Sequence, residues 1–432
     1  MPTVNPTDIF ADLKWRGLIH QTTDDAGLPR WLGEKTRTLY AGFDPTADSL
    51  HVGHLVALMT LRRFQKAGHR PIALVGGATG MIGDPSGKSE ERNLLSVDAL
   101  RANVEGMRTQ IAALLDFDRG ERSALLVNNY DWMSRFSYLD FLRDIGKNFP
   151  VNVMLAKDSV KARLERTDSG LSYTEFSYML LQAYDFVYLN EHHGCELQIG
   201  GSDQWGNITA GTDLGRRIRS AQLQGLTCPL LTKSDGTKMG KTERGAVWLS
   251  PQRTSPYQFF QFWINVDDAD AGRCLRFFTE LSHEEIEALD AARAANPGQR
   301  ESQKRLASEV TRLVHGETGL SAATRATEIF FGAEIDGLSD SQLGEIFQDV
   351  PSQELPRGRL DGEGLNIIDA LVESGLSKNK SEARRTIDQG GAYVNNRRVD
   401  GIAQQLKADS LASETVMVLR SGKKKYALLR FS

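Results

Sequence analysis

Four residues, His51-Val52-Gly53-His54, could do chemistry together if a helix begins at them. The stretch ahead of them, Leu39 to Phe43, is short and apolar or aromatic, as a buried strand is. Leu55, Val56, Leu58, Met59, Leu61 and Phe64 then recur at helical spacing. Asp44-Pro45-Thr46 ends the strand, because Pro45 has no N–H to give a ladder, and Gly53 allows a close approach to the backbone where the helix opens. Free N–H groups at a helix N-terminus point at an anion, and two imidazoles three residues apart stand beside them. This is a phosphate site in outline. Zinc ligation by the two histidines lacks a third Cys or carboxylate at ligand spacing, so no protein-bound metal is expected; two unrelated surface histidines are the plain alternative.

Further polar groups fall on the same side of the chain's alternating pattern. Gly76 to Lys88 is glycine-rich but fails the Walker A spacing, since Ile82 stands where that loop needs Gly; it either carries Asp84, Lys88 and Arg92 to the same sheet edge or is a flexible surface loop. On a helix over Thr174 to Leu189, Tyr178, Gln182 and Asp185 stand at i, i+4 and i+7, hence on one face, either for a ligand or as a buried network without one. Cys195 to Asn207 reads as strand, glycine turn and helix start, which aims Asp203 and Gln204 at the carboxyl edge where open α/β sheets bind ligands. Lys233 to Thr242 holds Lys233, Lys238 and Lys241 between glycines, a composition that is usually only a solvated turn.

The elements that must position these groups alternate. Strands at Tyr40, Pro71 to Gly77 and 124–128 are interleaved with helices at 55–64, 98–115 and from Ser137, which is an α/β pattern; Asp8 to Leu18 reads as an amphipathic helix. Residues 256 to 345 are helical in pattern, and Pro351 to Gly364, polar with two Pro and three Gly, reads as a linker. Two short helices, a turn at Gly390-Gly391 and strands near Tyr393, Thr415 to Leu419 and Tyr426 follow. At 432 residues about three domains are expected. The boundaries predicted are 1–230, 231–350, the linker 351–364, and 365–432.

Composition narrows the class. No apolar run approaches the roughly 20 residues of a membrane span, and the first thirty residues lack the apolar core of a presequence. Cys195, Cys228 and Cys274 form no CxxC pair and are odd in number, so neither a disulfide framework nor a zinc ribbon is supported and a reducing cytoplasm is expected. Residues 365–432 hold 12 Lys and Arg against 7 Asp and Glu, a net of +5, which leaves −9 for the rest of a chain whose total is −4. A small basic tail on an acidic body is the footprint of a nucleic-acid contact or a solvated basic face.

His-Val-Gly-His resembles the HIGH motif of class I aminoacyl-tRNA synthetases, with Val52 for Ile, and Tyr40-Ala-Gly-Phe-Asp-Pro-Thr-Ala-Asp-Ser-Leu50 around it is similar to the tyrosyl enzymes. Lys238-Met-Gly-Lys-Thr242, about 190 residues on, resembles their KMSKS loop, with Gly240 and Thr242 at the two Ser positions. Ser377 to Arg385 and Tyr393 to Arg398 resemble the small RNA-binding fold shared with a ribosomal small-subunit protein. The likeness to bacterial-type tyrosyl-tRNA synthetases runs from about residue 10 onward. It implies a Rossmann-like catalytic domain, an α-helical domain and a small α+β RNA-binding domain. It also implies L-tyrosine, ATP with magnesium and tRNA(Tyr) as partners, and a cytoplasmic homodimer.

Carried over by motif, Tyr40 and Asp185 would bond the substrate phenol, and Asp84, Tyr178, Gln182 and Gln204 its amino and carboxyl end. Gly42, Asp44, Gly53, His54 and Asp203 would lie along the nucleotide, with Ala41 where some relatives carry a Cys toward the ribose. Thr46 and His51 would meet the phosphates, and Lys88, Arg92, Lys238, Lys241 and Thr242 would close over pyrophosphate. Lys378, Lys380, Arg384, Arg385, Arg397 and Arg398 would face RNA. A tryptophanyl synthetase shares the fold, but a carboxylate at Asp185 opposite Tyr40 suits a phenol better than an indole. An RNA-binding protein that kept the scaffold and lost the chemistry would not need His51, His54, Lys238 and Lys241.

Overall fold

The computed structural model describes residues 8–86, 96–157, 160–161, 164, 171–242, 245–348 and 350–432, with Lys241 and Thr242 described by their backbone. Lys88 and Arg92 lie outside the described residues. Two compact units form: residues up to Arg253 with Phe262–Val314, and Thr254–Gln261 with His315–Ser432.

The first unit opens with helix α1 (Asp8–Arg16) and is built on a six-stranded sheet. Its strands are β1 (Gln21–Thr22), β2 (Thr38–Phe43), β3 (Arg70–Val75), β4 (Leu125–Asn128), β5 (Cys195–Gly201) and β6 (Gln224–Cys228). They lie in the order β1-β6-β5-β2-β3-β4, all parallel except β1 on β6. Chain order runs outward from β2 in one direction through β3 and β4, and then resumes on its other side at β5 and β6. The carboxyl ends of β2 and β5 therefore flank a switch point, where crevices open in such sheets. The apolar run of β3 is buried from Pro71 to Val75, as a strand covered on both faces must be. Helix α2 (Val52–Lys66) follows β2, and helices α3 (Val97–Leu114), α4 (Tyr130–Met133), α5 (Tyr138–Asp144), α6 (Val151–Leu155), α7 (Tyr173–His193) and α8 (Trp205–Arg219) complete the alternation. The lysine-bearing loop ends in a two-stranded ribbon, β7 (Lys241–Thr242) on β8 (Gly245–Ala246). Beyond it come α9 (Pro256–Ile264), α10 (Asp268–Phe278), α11 (His283–Ala295) and α12 (Glu301–Phe330).

Two predicted boundaries need correction. The segment 231–350 is not one helical domain, because 231–253 and 262–314 belong to the first unit. The chain leaves that unit beside Gly316, whose φ of 70° breaks α12 into two helices. Pro351–Gly364 is not a free linker: Ser352–Leu355 forms strand β9, parallel to the last strand of the chain, and Leu355 and Leu360 are buried.

The second unit adds α13 (Asp340–Ile346), β10 (Leu365–Asn366), α14 (Ile367–Glu373), α15 (Lys380–Asp388), β11 (Ala392–Val394), β12 (Arg397–Arg398), β13 (Gln405–Leu406), β14 (Val416–Ser421) and β15 (Lys425–Phe431). Its five-stranded sheet runs β12-β11-β14-β15-β9. Alternate side chains of β14 serve two cores: Met417 and Leu419 pack with α14 and α15, and Val416 and Val418 pack with Ala326, Ile329 and Phe347.

Candidate functional site

At the switch point a cavity of about 590 Å3 opens between the carboxyl ends of β2 and β5. Most of the residues singled out in the sequence line it.

The β2 end supplies Tyr40, Gly42, Asp44 and Thr46. Tyr40 is 1 % exposed, yet its hydroxyl has no hydrogen-bond partner among the described residues; burial, then the nearby Asp185, raises its pKa well above the ordinary tyrosine value. Such a group is costly unless something completes it. Asp44 accepts from Thr79 Oγ1 at 2.8 Å and from Tyr178 Oη at 3.0 Å, which joins the end of β2 to α7.

Helix α2 presents the two histidines. His51 is the N-cap: its Nδ1 accepts the Gly53 N–H at 3.1 Å, and His54 Nδ1 accepts the His51 N–H at 3.1 Å. The rings stack with centroids 3.9 Å apart. With both Nδ1 atoms accepting, the neutral rings carry their proton on Nε2. A Cβ on Gly53 would lie 2.9 Å from the His51 ring, so a larger residue there would displace the capping imidazole. The chain just past the lysine loop is laced to this helix start by Val52 N–H to Val247 O at 3.0 Å and Leu249 N–H to Leu50 O at 2.8 Å.

Helix α7 brings Tyr178, Gln182 and Asp185 to the wall on one face, as their spacing predicts. Asp185 is 2 % exposed and accepts from Trp132 Nε1 at 2.8 Å and Asn129 Nδ2 at 2.9 Å. Burial drives its pKa up to about 7 against the pull of those two donors, with Asp44 adding to the rise. Tyr178 is raised well above the ordinary value by burial and by Asp44.

The amide and carboxylate groups form one chain of contacts. Gln182 Nε2 donates to Gln204 Oε1 at 3.2 Å, and Gln204 Nε2 donates to Asp84 Oδ2 at 2.6 Å; Asp84 Oδ1 accepts the Ser86 N–H at 2.9 Å. Asp203 lies beside them, its pKa raised by burial and by Asp84 while Gln204 and Lys238 oppose. Lys238 reaches the cavity from the loop. At Gly240, φ is +88°, so the first Ser position of the KMSKS pattern is filled by the one residue that takes this backbone without strain. Lys241 and Thr242 form β7, which places their backbone and no more.

Sequence reasoning missed Thr79, Asn129, Trp132, Gln198 and Asn207. Gln198 on β5 is buried at the cavity with its Oε1 unpartnered among the described residues, and Asn207 Nδ2 donates to Gln204 Oε1 at 3.2 Å. Asn129 and Trp132 follow directly on the carboxyl end of β4, and that position was the signal available for them.

This geometry has known counterparts. Residues 33–332 match the family model of tRNA synthetases class I (W and Y), and 342–429 match the tyrosine–tRNA ligase SYY-like C-terminal domain. The chain is 59 % identical over 431 residues to the tyrosine–tRNA ligase of Rhodopirellula baltica, covering 100 % of this chain and 98 % of that one. It is 51 % identical to the tyrosine–tRNA ligase of Geobacillus stearothermophilus, covering 98 % and 100 %. The chain belongs to the tyrosine–tRNA ligase family. Among solved structures, a C-terminally truncated Aspergillus nidulans mitochondrial tyrosyl-tRNA synthetase is similar with a TM-score of 0.68 and 33 % identity, over 75 % of this chain and 94 % of that one. A tryptophanyl-tRNA synthetase from Encephalitozoon cuniculi shares the fold at a TM-score of 0.54 and 14 % identity. As a tyrosine–tRNA ligase this chain is an ATP-using enzyme of class I.

Proposed function

We propose that the cavity joins L-tyrosine to ATP and that the enzyme then passes the tyrosyl group to the terminal ribose of tRNA(Tyr). The observation that carries the residue assignment is Tyr40: a fully buried hydroxyl without a partner among the described residues, facing the same cavity as a buried carboxylate. A phenol O–H between them donates to Asp185 and accepts from Tyr40, which completes both. Asp84, Tyr178, Gln182 and Gln204 take the amino and carboxyl end. Gly42, Asp44, Gly53, His54 and Asp203 line the course of the nucleotide.

In the first step a tyrosine carboxylate oxygen bonds to the α-phosphorus, the bridging P–O bond breaks, and its electron pair leaves with pyrophosphate. In the second, a ribose hydroxyl of the tRNA attacks the carbonyl carbon, the acyl C–O bond to the phosphate breaks, and AMP leaves with the electron pair and takes up the hydroxyl proton on its phosphate. The first step needs no general base, since the nucleophile is already an anion, so its catalysis is positioning and charge stabilisation. Thr46 and His51 face the phosphates as charge develops, whereas the N–H groups of Val52, Gly53 and His54 that open α2 are already donated to Val247 O, His51 Nδ1 and His51 O. Lys88, Arg92, Lys238, Lys241 and Thr242 close over the leaving pyrophosphate. Magnesium comes with the ATP as its counter-ion.

Homodimer formation is supported by exposed apolar side chains on α5 and α6, with Tyr138 64 % and Leu139 75 % exposed and Val151, Val153 and Leu155 also open. Action in the cytoplasm is supported by three free, buried cysteines and by the family's substrates; among the described residues no helix is long and apolar enough to cross a membrane. Tyr40→Phe tests the phenol site. Because the lost hydroxyl has no partner among the described residues, Tm should hold or rise while the preference for tyrosine over phenylalanine narrows. An unchanged preference contradicts the assignment.

A further inference from the structure

Helix α10 touches the loop at one end and the histidine helix at the other. In its first turn Asp270, 1 % exposed, has both oxygens engaged: Oδ1 accepts from Arg273 Nη2 at 2.7 Å, and Oδ2 accepts the backbone N–H of Ser234 at 3.2 Å. Arg273 in turn donates to the carbonyl of Thr232. Thr232 and Ser234 are the root of a small hairpin in which Thr232 bridges Lys238 and Lys233 N–H donates to Thr237 O at 2.7 Å. The hairpin's far side is held as well, since Met239 is buried with its sulfur 3.7 Å from Cys274 on the next turn of α10. At the other end, Arg63 on α2 is 8 % exposed. It donates to the carbonyls of Arg276 at 3.1 Å, Phe277 at 3.2 Å and Thr279 at 2.6 Å, the last acceptors of α10.

A buried carboxylate costs stability unless it is paired and bonded, and this one is paired with Arg273 on its own helix and spends its other oxygen on a loop backbone. We propose that Asp270, with Arg273, is a positioning residue for tyrosine activation: it fixes the root of the lysine hairpin on α10, and α10 fixes that hairpin against the histidine helix. The two halves of the phosphate site, His51 at the head of α2 and Lys238 on the hairpin, then share one rigid strut. Neither Asp270 nor Arg273 lines the cavity. Their effect passes through the hairpin, so it falls on the step in which pyrophosphate leaves and not on the binding of tyrosine. This rests on the reading of the hairpin as the group that closes over pyrophosphate.

The test uses the full chain with Asp270→Ala, Asp270→Asn, Lys238→Ala and the double variant Asp270→Ala/Lys238→Ala. Three quantities are read: equilibrium binding of tyrosine, the single-turnover rate of adenylate formation at saturating ATP, and Tm. Losing the bond that holds the root of the hairpin in place should slow adenylate formation about ten-fold or more in Asp270→Ala, with tyrosine binding unchanged because the hairpin does not touch tyrosine in this reading. Asp270→Asn, which keeps an acceptor for the Ser234 N–H, should recover part of the rate. The double variant should be little slower than Lys238→Ala alone, because the clamp has nothing left to position. A normal rate in both Asp270 variants, equal losses of tyrosine binding and rate, or full multiplication of the two single effects each overturns the proposal. If Asp270→Ala does not fold, Asp270→Asn alone decides, and a wild-type rate there overturns it. A normal rate in Lys238→Ala would instead contradict the reading of the hairpin itself.

Discussion

Asp185 is the residue on which specificity turns, and its environment sets two opposing demands. A phenol donates best to an ionised carboxylate, but burial disfavours that form and raises the pKa to about 7. In the unfolded chain an aspartate titrates near 3.9, so the folded protein holds this proton more tightly. Below the unfolded value its burial costs nothing through ionisation; as pH rises from there to about 7 it costs progressively more stability, and above 7 the cost is fully present, offset by the donors Trp132 and Asn129. The kcat/KM for tyrosine should therefore fall on the acid side of about 7, where the free enzyme carries a protonated Asp185. Trp132→Phe keeps an aromatic ring against Tyr188, whose centroid lies 4.3 Å away, but deletes the Nε1–H that favours the ionised form. It should move this acid limb to higher pH; an unmoved limb in the pH profile means that another group controls it. Asp185 was legible from its spacing with Tyr178 and Gln182 on one helix. Trp132 and Asn129 were not, because nothing in a local pattern says that a residue after β4 meets a carboxylate more than fifty positions on.

At the scale of elements, the start of α2 does two jobs with one side chain. His51 caps the helix through Nδ1 and faces the cavity, so His51→Ala removes both a cap and a phosphate-facing group. The cap is worth about 1 kcal/mol of stability and the transition-state contact on the order of 10² in rate. Asparagine is a good N-cap without an imidazole. His51→Asn should recover the Tm lost in His51→Ala but not its kcat, with KM for tyrosine and ATP nearly unchanged in both. Recovery of kcat in His51→Asn would mean that the histidine serves the helix alone. This element could be read from the sequence because strand end, proline turn and helical period are all local. The antiparallel lacing of 247–249 onto 50–52 could not, since it joins segments some 200 residues apart. The same limit hid β9, whose three polar residues and single leucine carry no strand signal and pair with the edge that β15 offers.

For the whole molecule, every group assigned to adenylate chemistry stands in the first unit, and the basic excess stands in the second. The apolar runs of β14 and β15 were readable as strands, but not that both their faces are covered. The partners on one face, Ala326, Ile329 and Phe347, come from residues that read as part of a different domain. A cut at Gly364 would therefore strip that face and leave β9 unpaired. The basic surface is better probed in the intact chain, where Lys378, Lys380, Arg384, Arg385, Arg397 and Arg398 are all exposed. Lys380 pairs with Asp369 and Arg397 with Glu334, whereas Arg384 and Arg385 have no ion pair among the described residues. If these groups meet RNA phosphates, Arg384→Ala and Arg385→Ala should each weaken tRNA binding and make its salt slope shallower by about one, more than Lys380→Ala or Arg397→Ala, which also lose a protein partner. Equal slopes in all variants would make this a solvated face. The central claim is that the cavity between β2 and β5 activates tyrosine, and it is tested most directly by amino-acid-dependent exchange of pyrophosphate into ATP. Tyrosine should support exchange, phenylalanine and tryptophan should support very little, and Asp185→Ala should abolish the tyrosine signal. Exchange driven equally by tryptophan, or undiminished in Asp185→Ala, would contradict it.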